Sequence, residues 1–200
     1  GKPLFLFLHS YDVHYTYNAP PPFDTRFDRA ARFDDARYRN YHHYLKHPLP
    51  ADQMAHQVAQ YDEEIRYVDA QLKALVEGWR ATGRELIVAV TADHGEEFGE
   101  HGNHEHSGLV YEHNVSVPMI FRLKGLEPKR VDSLASLLDF APTIAEMAGI
   151  DRPPNWEGSP LTSDSYAARS YILMETFCRG NVLFEHRPLY MGVRSRSHKY

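Results

Sequence analysis

The chain has one cysteine, Cys178, in 200 residues, which excludes an intramolecular disulfide framework and a cysteine zinc site. It has no apolar run approaching the roughly 20 residues that a membrane-crossing helix needs. It has no excess of basic charge either. The net charge is −5, whereas a nucleic-acid binder usually presents a basic face or stripe. Internal repeats and low-complexity tracts are absent. What is present is the composition of an ordinary globular protein, 42% hydrophobic and 24% charged, which excludes an intrinsically disordered chain. The length suffices to bury a core as one domain with a small appendage. The one oddity is an abundance of histidine and tyrosine, 13 of each. His42, His43, His47 and His56 sit in no motif and read as solvated surface imidazoles.

Both ends read as cut. The chain runs at once into the strand-like LFLFLH and stops inside LYMGVRSRSHKY without a cap or turn. The expectation is a fragment, in which a missing leader says nothing about compartment.

Residues 4–8 form a short continuous apolar run, the pattern of a strand buried on both faces. It gives way to the polar turn His9-Ser10-Tyr11-Asp12-Val13-His14, then to NAPPPF, where successive prolines forbid helix and central strand. Residues 24–50 mix Asp, Arg, Tyr and His without a period; the acids largely neutralise the Arg/Tyr interleaving, so the segment reads as a solvated loop. From Asp52 onward, Met54, Val58, Tyr61, Ile65, Val68, Leu72, Leu75 and Trp79 recur at spacings of four and three. That spacing predicts a helix with one apolar stripe, Asp52 as its N-cap and Gly83 as its stop. ELIVAVT then reads as a buried strand. Strand, long helix, strand is the unit of a parallel sheet with a right-handed crossover. The fold class expected is therefore α/β, a mainly parallel sheet flanked by helices. A further strand is predicted over 117–123, with Pro118 near its start, and a helix from Asp139 to Gly149. After a loop over 151–165, YILMET and LYMGV read as strands of a second, antiparallel sheet.

In an open α/β sheet, ligands bind beyond the carboxyl ends of the strands. Two polar clusters occupy such places, His9 to His14 and Asp93-His94. A carboxylate and an imidazole aimed together by a sharp turn at Gly95 suit zinc, manganese or iron, and calcium less often. The other reading is that Asp93 caps the next turn while His94 lies on the surface. Glu96, Glu97 and Glu100 read as a solvated, helix-starting turn, with further carboxylate ligands as the other reading. Among His101, His104 and His106 there is no i, i+4 zinc spacing, and at most one of them is expected at a site. Ser10, Thr91 and Ser107 lie outside any G-x-S-x-G elbow, and Cys178 has no activating base near it in sequence. No convincing nucleophile is present.

These segments, in order, resemble the sulfatase family of the alkaline-phosphatase-like superfamily. FLFLHSYDVHYTY is similar to its strand and D-x-H-x-x-Y turn, YDEEIRYVDAQLKAL to its long helix, and IVAVTADHGEEFGEHG to its most specific signature. LVYEHNVSVPMIF resembles its Tyr-Glu and Val-Pro strand, LLDFAPTIAEMAGI its Asp-x-x-Pro-Thr helix, and YMGVRSRSHKY the strand opening its C-terminal subdomain. The resemblance implies that residues 1–165 are the C-terminal part of a catalytic domain and that 166–200 begin a C-terminal subdomain. It implies that Asp93 and His94 bind one divalent cation, Ca2+ foremost, with Mn2+, Mg2+ or Zn2+ as alternatives. His14 matches the histidine that contacts the sulfate and protonates the leaving alcohol. The family's lysine before Tyr111-Glu112 is missing, and His106 is its best substitute, with His104 behind it. The family's nucleophile, a Cys or Ser of C-x-P-x-R matured to formylglycine, is expected upstream of Gly1.

The activity implied is hydrolysis of a sulfate ester on a small molecule or glycan, with the fragment alone inactive. No nucleic acid or membrane span is implied, and an exported location is favoured. Two alternatives stand: a phosphodiesterase, phosphonate monoester hydrolase or phosphoethanolamine/phosphoglycerol transferase of the same superfamily, and a non-catalytic remnant or interaction module. Selectivity is expected from residues 19–50 and the C-terminal subdomain.

Overall fold

A computed structural model describes residues 3–27, 49–102, 104–106, 108–162, 169–176, 178–179, 182–183 and 190–200, with backbone only at 104–105, 178–179 and 182–183. The chain divides into two compact units, residues 1–83 with 98–105, and residues 84–97 with 106–200.

The first unit is built on α1 (Ala51–Ala81), a helix of 31 residues that the 3.6-residue period anticipated. Its start differs from expectation. Pro50 is the N-cap position and no side chain caps it, so Asp52 lies in the first turn, where its charge complements the helix dipole. Its end is as expected: Gly83 adopts φ 73° and donates its N–H to the Arg80 carbonyl at 3.0 Å, a left-handed stop that glycine adopts without strain. The apolar stripe is only partly covered, with Ile65 and Leu75 exposed. The buried residues of α1 are instead Glu63 and Glu64. His56 also departs from the sequence reading. It is half-buried, and burial lowers its pKa against the opposing pull of the Glu63 charge.

Tyr17, 5% exposed, centres an aromatic cluster. Its ring meets Tyr61 edge-on at 5.3 Å and Phe98 at 5.9 Å, while Tyr61 and Phe98 lie 5.1 Å apart. These separations are those of favourable ring pairs, and they tie the segment after His14 to α1. The run Leu4–Leu8 is not buried: Phe5 and Phe7 are 77% and 76% exposed. It forms no ladder among the described residues. Residues 28–48, with His42, His43 and His47, lie outside the described residues.

In the second unit, β1 (Val88–Thr91) pairs with β2 (Met119–Arg122), from Val88 opposite Arg122 to Thr91 opposite Met119. Pro118, which has no N–H to give a ladder, sits just before β2, and its carbonyl accepts from Thr91 Oγ1 at 2.8 Å. Between the strands is one helical turn, α2 (Glu112–Val115). A 3-10 turn (Leu137–Asp139) leads into α3 (Phe140–Met147). The start of this helix is as expected: Asp139 is its N-cap position, though its side chain makes no cap hydrogen bond there. Ser136 caps the preceding 3-10 turn, and Asp139 completes a capping box by accepting the Ser136 N–H at 2.9 Å. The predicted antiparallel pair is present, β3 (Tyr171–Thr176) against β4 (Tyr190–Ser195). Glu112 on α2 accepts from Lys199 Nζ at 3.2 Å, just beyond β4.

A mainly parallel sheet is not seen among the described residues, where β1 with β2, β3 with β4, and Cys178–Arg179 with Val182–Leu183 pair antiparallel. Periodicity marks a buried strand but not its neighbour, and a parallel pair depends on a distant crossover partner. No helix among the described residues is long and apolar enough to cross a membrane.

Candidate functional site

Two polar turns carry the residues singled out by sequence, one in each unit. In the first unit, the segment after the apolar run turns at Asp12–Thr16. Ser10 Oγ donates to Asp12 Oδ2 at 3.1 Å. Val13 then adopts φ 75°, a left-handed conformation that costs a β-branched residue of order 1–3 kcal/mol. Its N–H donates to Glu64 Oε2 at 2.9 Å, and the Asn18 N–H donates to Glu64 Oε1 at 2.6 Å. Between these anchors lies His14, whose Nδ1 is 2.7 Å from the Tyr15 carbonyl oxygen. A carbonyl only accepts, so Nδ1 carries the proton there. In the neutral ring, Nε2 then holds the lone pair. Tyr11 lies over His14 with ring centres 4.8 Å apart.

In the second unit, the chain leaves β1 at Thr91 and reverses at Asp93-His94-Gly95. The Gly95 N–H donates to the Asn114 carbonyl at 2.8 Å, docking this reversal on α2. A Cβ on Gly95 would collide with the His113 carbonyl oxygen, so only glycine lets the two backbones approach. Gly95→Ala should therefore destabilise the protein by about 1–3 kcal/mol and lower its activity; a thermal melt together with an assay checks both.

The reversal brings Asp93 Oδ2 and His94 Nε2 to 3.8 Å. His94 Nδ1 is 2.8 Å from the Gly95 carbonyl oxygen, so it holds the proton and Nε2 presents its lone pair. A carbonyl fixing the tautomer is the usual support of a metal-binding histidine. Two ligand bonds of ordinary length sum to about 4–5 Å, so one cation can span this pair. Asp93 is largely exposed, 82% by side chain, which leaves it open to a ligand. His106 stacks on His94 with ring centres 4.0 Å apart, and its Nδ1 is 3.3 Å from Glu96 Oε1. Among the described residues, no three His, Cys, Asp or Glu gather into a cation site.

Asp93, His94 and His106 are thus brought together in the second unit, and His14 belongs to the first. Asp93 does not cap the next turn through its side chain: its Oδ1 accepts only the N–H of its neighbour His94, at 3.0 Å. The acidic turn is not solvated as expected. Glu96 has a side chain 4% exposed and Glu97 is fully buried; Glu100 alone is exposed, accepting the Phe98 N–H at 2.6 Å. Ser107 and the side chains of His104 and Cys178 lie outside the described residues. Glu64 and Asn114 were missed by sequence reading. For Glu64 a signal existed: it stands three residues after Tyr61 and four before Val68, on the apolar stripe itself. Asn114 carried none.

The chain matches the Sulfatase family over residues 1–150. It is 29% identical over 163 residues to a Delta 4,5-hexuronate-2-O-sulfatase of Bacteroides thetaiotaomicron, which covers 76% of this chain and 31% of that protein. The chain therefore spans about a third of that relative's length. Among solved structures it resembles a putative sulfatase of the same bacterium, with TM-score 0.67, 22% identity, and coverage of 100% of this chain and 44% of that one. It also resembles a phosphonate monoester hydrolase of Silicibacter pomeroyi, with TM-score 0.66, 20% identity, and coverage of 94% and 46%. The fold is alkaline-phosphatase-like, and with the family matched across residues 1–150 and the Asp93-His94 reversal formed, this chain belongs to the sulfatase family.

Proposed function

We propose that the chain carries the cation-binding and proton-donating part of an enzyme that hydrolyses sulfate esters. The observation that carries this reading is the approach of Asp93 Oδ2 to His94 Nε2 at 3.8 Å, with the His94 tautomer fixed by Gly95. Sulfatases generally use a divalent cation. Asp93 and His94 would hold it, Ca2+ by our reading, and when bound it supplies positive charge against the sulfuryl oxygens.

Two histidines of this chain act beside it. His14, its Nδ1 proton directed to the Tyr15 carbonyl, would in its doubly protonated form hand the Nε2 proton to the departing alkoxide and keep the Nδ1 proton. His106, held through Nδ1 by Glu96, stands in for the missing lysine and, when protonated, offers positive charge to the ester oxygens. Residues 1–165 would be the C-terminal part of the catalytic domain, and 166–200 the opening of a further subdomain. The nucleophile, a formylglycine, is proposed to lie outside these residues, in an exported protein. A sugar sulfate is the favoured substrate class, because a relative is a hexuronate-2-O-sulfatase.

The test uses the full-length natural protein. Its upstream peptides are mapped by mass spectrometry for formylglycine, and turnover is compared on 4-nitrophenyl sulfate, a sulfated uronic-acid disaccharide and phenyl phosphonate esters. Formylglycine with sulfate esters turned over fastest is the expected result. An unmodified Thr or Ser with preferred phosphoryl or phosphonyl turnover would overturn it in favour of the phosphonate hydrolase reading that the Silicibacter fold neighbour raises.

A further inference from the structure

Both oxygens of one buried carboxylate are spent on one turn. Glu64 is 5% exposed, and it takes the Val13 N–H on Oε2 and the Asn18 N–H on Oε1. We propose that Glu64 is the positioning residue of the proton donor: from α1 it grips the backbone on both sides of His14 and holds the imidazole in its working place. This rests on the proton-donating role proposed above for His14.

Three observations converge on it. First, Val13 at φ 75° is in a conformation its branched side chain resists, so the turn needs an outside hold, and the Glu64 bond falls on that residue's own N–H. Second, the Tyr15 carbonyl that sets the His14 tautomer lies in the span between the two gripped amides, so releasing either end frees the carbonyl as well as the ring. Third, the position on α1 is one an apolar residue would fill. Burial pushes the Glu64 carboxyl pKa up, and the Asn18 and Val13 hydrogen bonds oppose that shift. A buried acid at a stripe position is costly unless its bonds are needed. Glu63 is an internal comparison: equally buried on the same helix, it accepts the Phe27 N–H at 2.9 Å, beyond the His14 turn.

The full-length enzyme tests this with Glu64→Gln, Glu64→Asp, His14→Ala and Glu63→Gln, assayed on a nitrophenyl sulfate and an alkyl sulfate. Gln turns an acceptor into a donor facing a backbone N–H; Asp keeps the charge but draws it back, and is the variant to rely on if Gln does not fold. The expected result for both Glu64 variants is a kcat loss of about 10–100-fold with KM little changed. The loss should be larger on the alkyl sulfate, whose leaving group needs the proton, and His14→Ala should show the same leaving-group dependence. Glu63→Gln should lower the melting temperature without that signature. If the Glu64 variants melt earlier yet keep kcat and the leaving-group dependence of the parent, the positioning role is wrong while His14 stands. If His14→Ala itself shows no such dependence, both fall together.

Discussion

Replacing Asp93 with Ala in the full-length enzyme should lower kcat/KM on a sulfate ester by about a thousandfold or more. The size follows from what a bound cation contributes: several kcal/mol of charge stabilisation, at tenfold for each ~1.4 kcal/mol. The side chain is 82% exposed and accepts a hydrogen bond from the adjacent His94 N–H. Stability should therefore change by no more than about 0.5 kcal/mol, which separates loss of the cation from loss of the fold. Chelator should abolish parental activity and added Ca2+ restore it, while the Asp93→Ala enzyme gains nothing at the same cation concentration. A variant that keeps a tenth of the parental kcat/KM and still responds to chelator would remove Asp93 from the cation site.

The largest stability effect should come from Arg169→Ala. Asp139 is fully buried and accepts the Ser136 N–H at 2.9 Å, the Ser159 N–H at 2.8 Å, and the Arg169 guanidinium at 2.6 and 3.4 Å. Removing the guanidinium leaves a buried carboxylate without its counter-charge, which costs about 3–5 kcal/mol. Asp139→Asn should cost less, because Arg169, 28% exposed, can turn to water. The pH dependence has a definite sign. Burial pushes the Asp139 pKa up, but the Arg169, Ser136 and Ser159 hydrogen bonds and the Arg169 charge together bring it below the ordinary carboxylate value. A carboxyl lowered on folding stabilises fully above its unfolded pKa, 3.8, and that contribution is lost as pH falls through the folded value. The gap between parent and Arg169→Ala should thus be widest near neutral pH and close in acid. Unfolding midpoints measured from pH 7 down to 3 check it; a gap independent of pH would mean Arg169 contributes packing rather than charge.

YILMET and LYMGV were legible as strands from short runs of strand-forming residues, and in β3 the side chains are exposed and half-buried in strict turn. α1 was legible because an apolar residue every third or fourth position leaves few other solutions, and Gly83 supplied its stop. Residue type at Asp93-His94-Gly95 left a ligand pair and a capped turn both open, and the order of this stretch with five other segments marked it as a sulfatase signature. None of these required knowing what lies far away along the chain.

What sequence alone could not supply depends on remote partners. Whether β1 pairs parallel or antiparallel depends on which strand arrives beside it, and β2 arrives antiparallel after the turn at α2. Glu96 read as a solvated acid and Asp139 as a helix start, and Glu64 drew no reading, yet each is buried or nearly so. Their partners stand at Val13 and Asn18, at His106, and at Ser159 and Arg169. A charge is buried only where distant donors repay its lost hydration, and no local pattern records where those donors will be. The sequence determined the long helix α1, the antiparallel pair β3–β4 and the family. The tertiary structure decided which acids leave water, and through them how the turns bearing His14 and His106 are held.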